Sequence, residues 1–195
     1  MSPICRRWRV RPKLADAELA RWPDLHRLLV QLLHNRGVCD PEHMRRFLNH
    51  EPLAATDPFA LRGMAEGVSR LQAAIRAGEP IAVFGDYDAD GVTAAALLTQ
   101  ALRALGANLR PHPYIPDRIE EGYGLNEAAL QRLANEGMRV VVTVDCGIRS
   151  VSEAASARAL GLNLIITDHH TPGEVLPEAV AVINPKQPGC AYSST

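Results

Sequence analysis

The stretch "IAVFGDYDADGVTAAALL", residues 81–98, decides how this 195-residue chain is read. Ile81–Phe84 is a short unbroken apolar run, the pattern of a buried strand. Val92–Leu105 has helical spacing and is followed by Gly106, a common helix stop. Between them Asp86, Asp88 and Asp90 stand at every second position, followed by Gly91. A D-x-D-x-D-G segment suits a calcium loop, a phosphatase nucleophile, or a metal centre completed by distant residues. The surrounding chain has to separate these.

Outward from residue 80, short apolar runs alternate with helical segments. Strands are expected at Ile81–Phe84, near Leu109–Ile115, and within "RVVVTVDCG" (139–147), "LNLIITDHH" (162–170) and "AVAVINPK" (179–186). Helices are expected at Val92–Leu105, Asn126–Asn135 and Val151–Leu160. Strands this continuously apolar, alternating with helices, predict an α/β fold with a mostly parallel sheet covered by helices on both faces. Upstream, Met64–Ala77 fits an amphipathic helix stopped by Gly78. The segment from Leu25 to Leu48 fits two short helices, the first stopped by Gly37 and the second opened by Asp40-Pro41. Residues 1–13 read as a loose basic arm and "EPLAATDPFA" (51–60) as a proline-punctuated connection. The expected division is a basic, helical amino-terminal region over 1–63 and an α/β domain over 64–195.

Composition narrows the class. The chain is 47% hydrophobic, and no apolar run approaches the ~18–20 residues of a membrane span. "MSPICRRWRVRPK" lacks the apolar stretch of a secretory signal, so a cytoplasmic protein away from membranes is expected. Cys5, Cys39, Cys146 and Cys190 lie far apart with no C-x-x-C pair, which predicts reduced thiols. Residues 1–50 hold 10 Lys/Arg against 5 Asp/Glu (net +5), and the remainder 11 against 17 (net −6), giving the overall −1. A basic head suits nucleic-acid phosphates, or simply a solvated surface.

Three clusters follow predicted strands: Asp86, Asp88 and Asp90; Asp145; and Asp168, His169 and His170. Open α/β sheets place their sites at carboxyl ends of strands. Carboxylates with imidazoles suit a hard-to-borderline divalent cation, with Mn²⁺ favoured over Ca²⁺ once histidine is a ligand. Two such ions ~3.5–4 Å apart would relieve the mutual repulsion of the acids and clamp a phosphoryl group. A calcium loop starting at Asp86 needs a glutamate at its twelfth position, which here is Leu97, and its ninth position is Ala94. A haloacid-dehalogenase-type phosphatase matches "AVFGDYDADGV" with Asp88 as nucleophile. It also needs a lysine, and the chain has only Lys13 and Lys186. That reading leaves the two histidines unexplained. Cys146, beside Asp145 on an extended strand, points to the opposite side and reads as a buried filler.

"GDYDADGVT" (85–93), "VVTVDCGI" (141–148) and "IITDHH" (165–170) resemble the first three motifs of the DHH phosphoesterase family. "LLHNRGVCDPEHMRRFL", "DPFALRGM", "YIPDRIEEGYGLN" and "LPEAVAVINPKQPGC" extend the resemblance to its branch of bacterial single-strand-specific exonucleases, from about Trp8 to Ala191. The resemblance implies hydrolysis of single-stranded DNA from the 5′ end in recombination and repair, using two Mn²⁺ or Mg²⁺ ions. It implies Asp88 and Asp90 as metal ligands with Asp86 as a third, Asp145 bridging both ions, and His169 on one. It places His170 against the scissile phosphate or a metal-bound group, with Asp145, His169 and His170 as the catalytic set. Asp168 is expected either as a further acid of the site or as the group fixing a histidine tautomer. Arg118 is expected on a DNA phosphate, or paired with Glu120 or Glu121. Tyr123 is expected to stack on a base, or to pack the loop between Gly122 and Gly124. A single-strand-binding protein or a helicase is the protein partner implied. The family has a fourth acidic motif and an associated domain further along, so this chain is expected to be the amino-terminal part of such an enzyme. Two alternatives stay open: a phosphoesterase for small phosphate substrates, and a non-catalytic fragment that binds nucleic acid.

Overall fold

The structure, a computed structural model, describes residues 9–49, 57–106 and 111–192. Most of the expected basic arm and of the 51–60 connection, and the first residues of the expected strand at 109–115, lie outside the described residues. The chain divides into two compact units, Met1–Ala55 and Thr56–Thr195.

The first unit contains α1 (Asp16–Leu19), α2 (Arg27–His34) and α3 (Pro41–Leu48). The Asp40 carboxylate caps α3 by accepting from the His43 amide at 2.8 Å, and Pro41 sits in the first turn, where no partner for its nitrogen is needed. Leu33, Val38 and Met44 make a small core with Trp22, Leu25, Leu29 and Leu48 around it. The short helix α1 has no apolar face of its own, and an ion pair between Asp16 and Arg27 ties it to α2.

The second unit begins before the expected 63/64 boundary. Arg62 is bound into it at both ends: its Nη1 donates to the Pro188 carbonyl at 2.6 Å, and its own carbonyl accepts from Gln187 Nε2 at 3.1 Å. The elements that follow are α4 (Met64–Ala77), β1 (Ile81–Gly85), α5 (Ala89–Leu105), β2 (His112–Tyr114), α6 (Glu127–Asn135), β3 (Val140–Val144), α7 (Val151–Ala159), β4 (Asn163–Thr167) and β5 (Ala181–Ile183). The five strands described form one sheet in the order β2-β1-β3-β4-β5, every neighbouring pair parallel. The inner strands β1, β3 and β4 run five residues each. The edges β2 and β5 run three, and β2 contains Pro113.

Alternation along the strands sorts side chains between two cores. Ile81, Val83, Val140, Val142 and Ile165 join residues of α4 and α5 on one face. Ala82, Phe84, Val141, Leu164 and Ile166 join residues of α6 and α7 on the other. Both faces are covered, so every inner strand is apolar on both sides. The order also reverses once: the chain steps from β1 outward to β2, then returns past β1 to β3. In doubly wound sheets the crevice opens at the carboxyl ends of the two strands flanking that reversal, here β1 and β3.

Candidate metal centre

Asp86 follows β1 directly, Asp145 follows β3, and Asp168 follows β4. Each backbone carries its acid into the crevice in a different way. Asp86 is 1% exposed; its Oδ1 accepts from the Tyr87 amide at 2.7 Å. Asp88 is the N-cap of α5, its Oδ1 accepting from the Gly91 amide at 3.0 Å. A Cβ at Gly91 would lie 2.7 Å from Asp86 Cβ, N and O. The glycine of D-x-D-x-D-G is therefore needed for the close approach of helix to strand end, with no calcium loop involved. Asp90 lies on the exposed first turn of α5.

Asp145 stands in a left-handed conformation with φ +63, alone among the described non-glycine residues in having a positive φ. Its amide continues the ladder by donating to the Thr167 carbonyl at 3.0 Å. The strand accordingly ends at Val144, and Cys146 is not on it. Cys146 is buried all the same, its Sγ 3.9 Å from the Phe84 carbonyl, and burial pushes its thiol well above the usual range. It is an inert filler.

These turns bring distant residues together. Ligand atoms of Asp86, Asp88 and Asp145 lie within 4.8 Å of one another, and so do those of Asp145, His169 and His170. Asp145 belongs to both groups. Its Oδ1 is 2.9 Å from His169 Nε2 and 3.9 Å from His170 Nδ1. Asp90 belongs to neither group but borders both, with its Oδ2 3.8 Å from His169 Nε2. Asp86 is buried and Asp90 exposed.

Asp168 is an organiser. Its Oδ2 accepts from the Ile148 amide at 2.9 Å. Its Oδ1 accepts from the His169 amide at 2.7 Å, the His170 amide at 2.9 Å and His170 Nδ1 at 2.8 Å. A carboxylate accepting from Nδ1 fixes the tautomer and leaves Nε2 as the free lone pair. The buried Asn184 at the end of β5 completes the support, its Nδ2 donating to the His170 carbonyl at 2.9 Å. Sequence reasoning misses Asn184, although it follows "AVI" as Asp145 follows "VVVTV".

Burial, then the neighbouring Asp90 and Asp88 charges, raise the Asp145 carboxyl above its usual range, against the histidines. Burial also raises Asp86. The Gly91 amide lowers Asp88. Asp86 Oδ2 and Asp145 Oδ2 are buried and find no hydrogen-bond partner among the described residues. Buried acceptors without donors are uncommon, and a cation is the partner that relieves both their desolvation and their mutual repulsion. Carboxylates with imidazoles are the donor set for Mn²⁺ or Mg²⁺ rather than a soft metal.

A row of rings leads away from this centre. His169 and His170 lie 4.7 Å apart between centroids, Tyr123 is 6.2 Å from His170, and Tyr87 is 6.2 Å from Tyr123, both edge-on. The Arg118 guanidinium sits over Tyr87 at 5.1 Å. Among the described residues Arg118 has no ion pair with Glu120 or Glu121; Glu121 faces Arg132 instead, at 3.9 Å. Tyr123 is 57% exposed. It borders a cleft of about 480 Å³ whose walls include Arg149, Asp168 and His170.

The model of the DHH family, N-terminal domain, matches residues 80–195. The chain belongs to the DHH family. Within it, this DHH chain is 43% identical over 95% of its length to the single-stranded-DNA-specific exonuclease RecJ of Bacillus subtilis (strain 168), and spans 24% of that relative. It is 40% identical to RecJ of Thermus thermophilus over 90% of the chain, spanning 25% of that protein. A crystal structure of exonuclease RecJ bound to manganese matches with a TM-score of 0.62 and 41% identity, over 71% of this chain and 34% of that one. The crystal structure of Thermus thermophilus RecJ in complex with Mn²⁺ matches with a TM-score of 0.63 and 33% identity, over 94% and 26%. The DHH chain thus spans about a quarter of the length of these curated relatives. No helix among its described residues is long and apolar enough to cross a membrane.

Proposed function

We propose that this chain carries the metal-binding core of a single-stranded-DNA-specific exonuclease, acting from the 5′ end with two Mn²⁺ or Mg²⁺ ions in DNA recombination and repair. The observation that carries the reading is one carboxylate, Asp145, shared between an acidic cluster (Asp86, Asp88) and an imidazole cluster (His169, His170). Asp86, Asp88, Asp90, Asp145 and His169 would hold the ions. When bound, two such ions supply an activated water and neutralise charge on the attacked phosphate.

The chain's own groups do the rest. Asp168 holds His170 by Nδ1, so that the Nε2 lone pair is left to accept a hydrogen bond from a donor beside the scissile phosphate. Arg118, free of carboxylate partners among the described residues, binds a backbone phosphate without reading sequence. Tyr123, exposed and edge-on to His170, offers a face on which a base stacks. The manganese of the two RecJ structures and the single-strand specificity named for the relatives support the metal and the substrate. A cytoplasmic setting suits this work, and a single-strand-binding protein or a helicase is the partner class that would present the strand.

The test compares long single strands, duplex, dinucleotides and pyrophosphate, each with Mn²⁺ and with chelator. Single strands should be shortened from the 5′ end only when Mn²⁺ is present. Cleavage of pyrophosphate or dinucleotides with long strands untouched would overturn the reading.

A further inference from the structure

Residues 117–122, which carry Arg118, form one self-contained turn. Asp117 Oδ1 accepts from the Ile119 amide at 2.8 Å and the Glu120 amide at 3.0 Å. The Asp117 carbonyl accepts from the Glu121 amide at 2.9 Å and the Gly122 amide at 3.2 Å. These bonds fix the shape of the turn but not its aim. Ile119 at the tip is exposed, and Arg118 touches only the Tyr87 ring among the contacts described. One residue of the turn reaches back into the protein.

That residue is Glu121, whose side chain is 20% exposed. Its Oε2 accepts from the Tyr114 hydroxyl at 2.7 Å and from Asn126 Nδ2 at 3.4 Å, and its Oε1 lies 3.9 Å from Arg132 Nη1. Tyr114 is a buried residue of β2, its ring stacked 5.1 Å from Phe84 of β1. Asn126 is the N-cap of α6, and Arg132 lies on α6 with its guanidinium 5.7 Å over the Tyr114 ring. Glu121 therefore joins the turn to the sheet and to α6 at once. Hydrogen bonds to an ionised carboxylate are stronger than neutral ones, and two of these donors are fixed by packing. Burial, and then Glu121 itself, push the Tyr114 hydroxyl up to about 12, so it remains a donor throughout the physiological range.

We propose that Glu121 is a positioning residue which, through the buried Tyr114 hydroxyl, holds the loop carrying Arg118 and Tyr123 beside the metal centre. This rests on the reading of Arg118 and Tyr123 as contacts to single-stranded nucleic acid. Losing the anchor leaves the contacts chemically intact but unaimed, and binding must then order the loop as well as engage it.

The experiment uses the whole chain and the variants Glu121→Ala, Glu121→Gln, Tyr114→Phe, Arg118→Ala and the double variant Glu121→Ala/Arg118→Ala. Each is measured for amide hydrogen exchange over 117–124, affinity for an oligothymidylate, and Mn²⁺ affinity by titration. Glu121→Ala should speed exchange in the loop, weaken oligothymidylate binding about tenfold, and leave Mn²⁺ affinity unchanged. Adding Arg118→Ala should cost little more, because an unaimed arginine has already lost its contact. Glu121→Gln keeps an acceptor for Tyr114 and should restore most of the affinity. Tyr114→Phe keeps the stacked ring and should reproduce part of the loss. Unchanged loop exchange in Glu121→Ala, additive losses in the double variant, or a parallel loss of Mn²⁺ affinity would overturn the proposal. If the loop loosens while neither Glu121→Ala nor Arg118→Ala alters binding, Glu121 still anchors the loop, and it is the reading of the loop as a substrate contact that fails.

Discussion

Asp145 is the one carboxylate common to both candidate ligand groups. Its left-handed backbone, of a kind that costs about 1–3 kcal/mol for a residue other than glycine, turns the carboxylate towards His169 while the amide still completes the sheet. Aspartate and asparagine tolerate this conformation best, so Asp145→Asn is the substitution that removes charge and keeps geometry. Burial and nearby acids hold the folded-state value of Asp145 above the usual one, and burial does the same for Asp86. The unfolded chain then releases these protons first, so stability falls as pH rises from the ordinary carboxylate range through the raised folded values. Asp145→Asn or Asp86→Asn should therefore raise the melting temperature of the ion-free protein at neutral pH by roughly 2–4 °C, as about 1 kcal/mol does at this size. The gain should vanish below the ordinary carboxylate range, and both variants should lose the stabilisation that Mn²⁺ gives. A melting series across pH, with Mn²⁺ and with chelator, checks all three. In the sequence the acid is visible as a polar residue ending an apolar run. Its backbone twist is not, because a single left-handed residue leaves no periodic signal in the sequence.

The start of α5 is where element and site coincide. Asp88 caps the helix with Oδ1 and also belongs to the acidic cluster, and Gly91 lets that turn lie against the end of β1. Asp88→Asn keeps a capping oxygen and should leave the melting temperature nearly unchanged while lowering Mn²⁺ affinity at least about tenfold. Asp88→Ala should lose both. Gly91→Ala forces a methyl against Asp86 and should cost about 1–3 kcal/mol, with weakened Mn²⁺ binding as the strand end shifts. Chemical denaturation with metal titration separates the three variants. The strands and helices from residue 64 on are legible from apolar runs and glycine stops, and so are the strand-end positions of the acids and histidines, whereas α1, with no apolar face, is not. The links between elements are not: Asp168 to Ile148, Asn184 to His170 and Glu121 to Tyr114 span 20, 14 and 7 residues and have no periodic signal.

At the scale of the whole molecule, two compact units of opposite charge share one chain, and the candidate ligands all lie in the second. An ion that binds only the folded sheet unit stabilises that unit, by about 2.7 kcal/mol at a hundredfold excess over Kd. Calorimetry should then show the transition of the sheet unit rising by roughly 5–10 °C with Mn²⁺ and returning with chelator. The transition of the first unit should stay in place. The division between the units is only partly legible. Residues 57–63 read as the end of the first region, because nothing local reveals that Arg62 is held by Pro188 and Gln187.

An open parallel sheet leaves two rows of unpaired backbone groups at its borders, each a template for pairing with another molecule. Among the described residues those borders are the short strands β2 and β5, and β2 contains a proline, which cannot donate to a further ladder. The long, nearly all-valine strand β3 is enclosed between neighbours on both sides. A strand whose apolar side chains would pair readily with another chain is thus kept two strands from either described border, with helices over both of its faces.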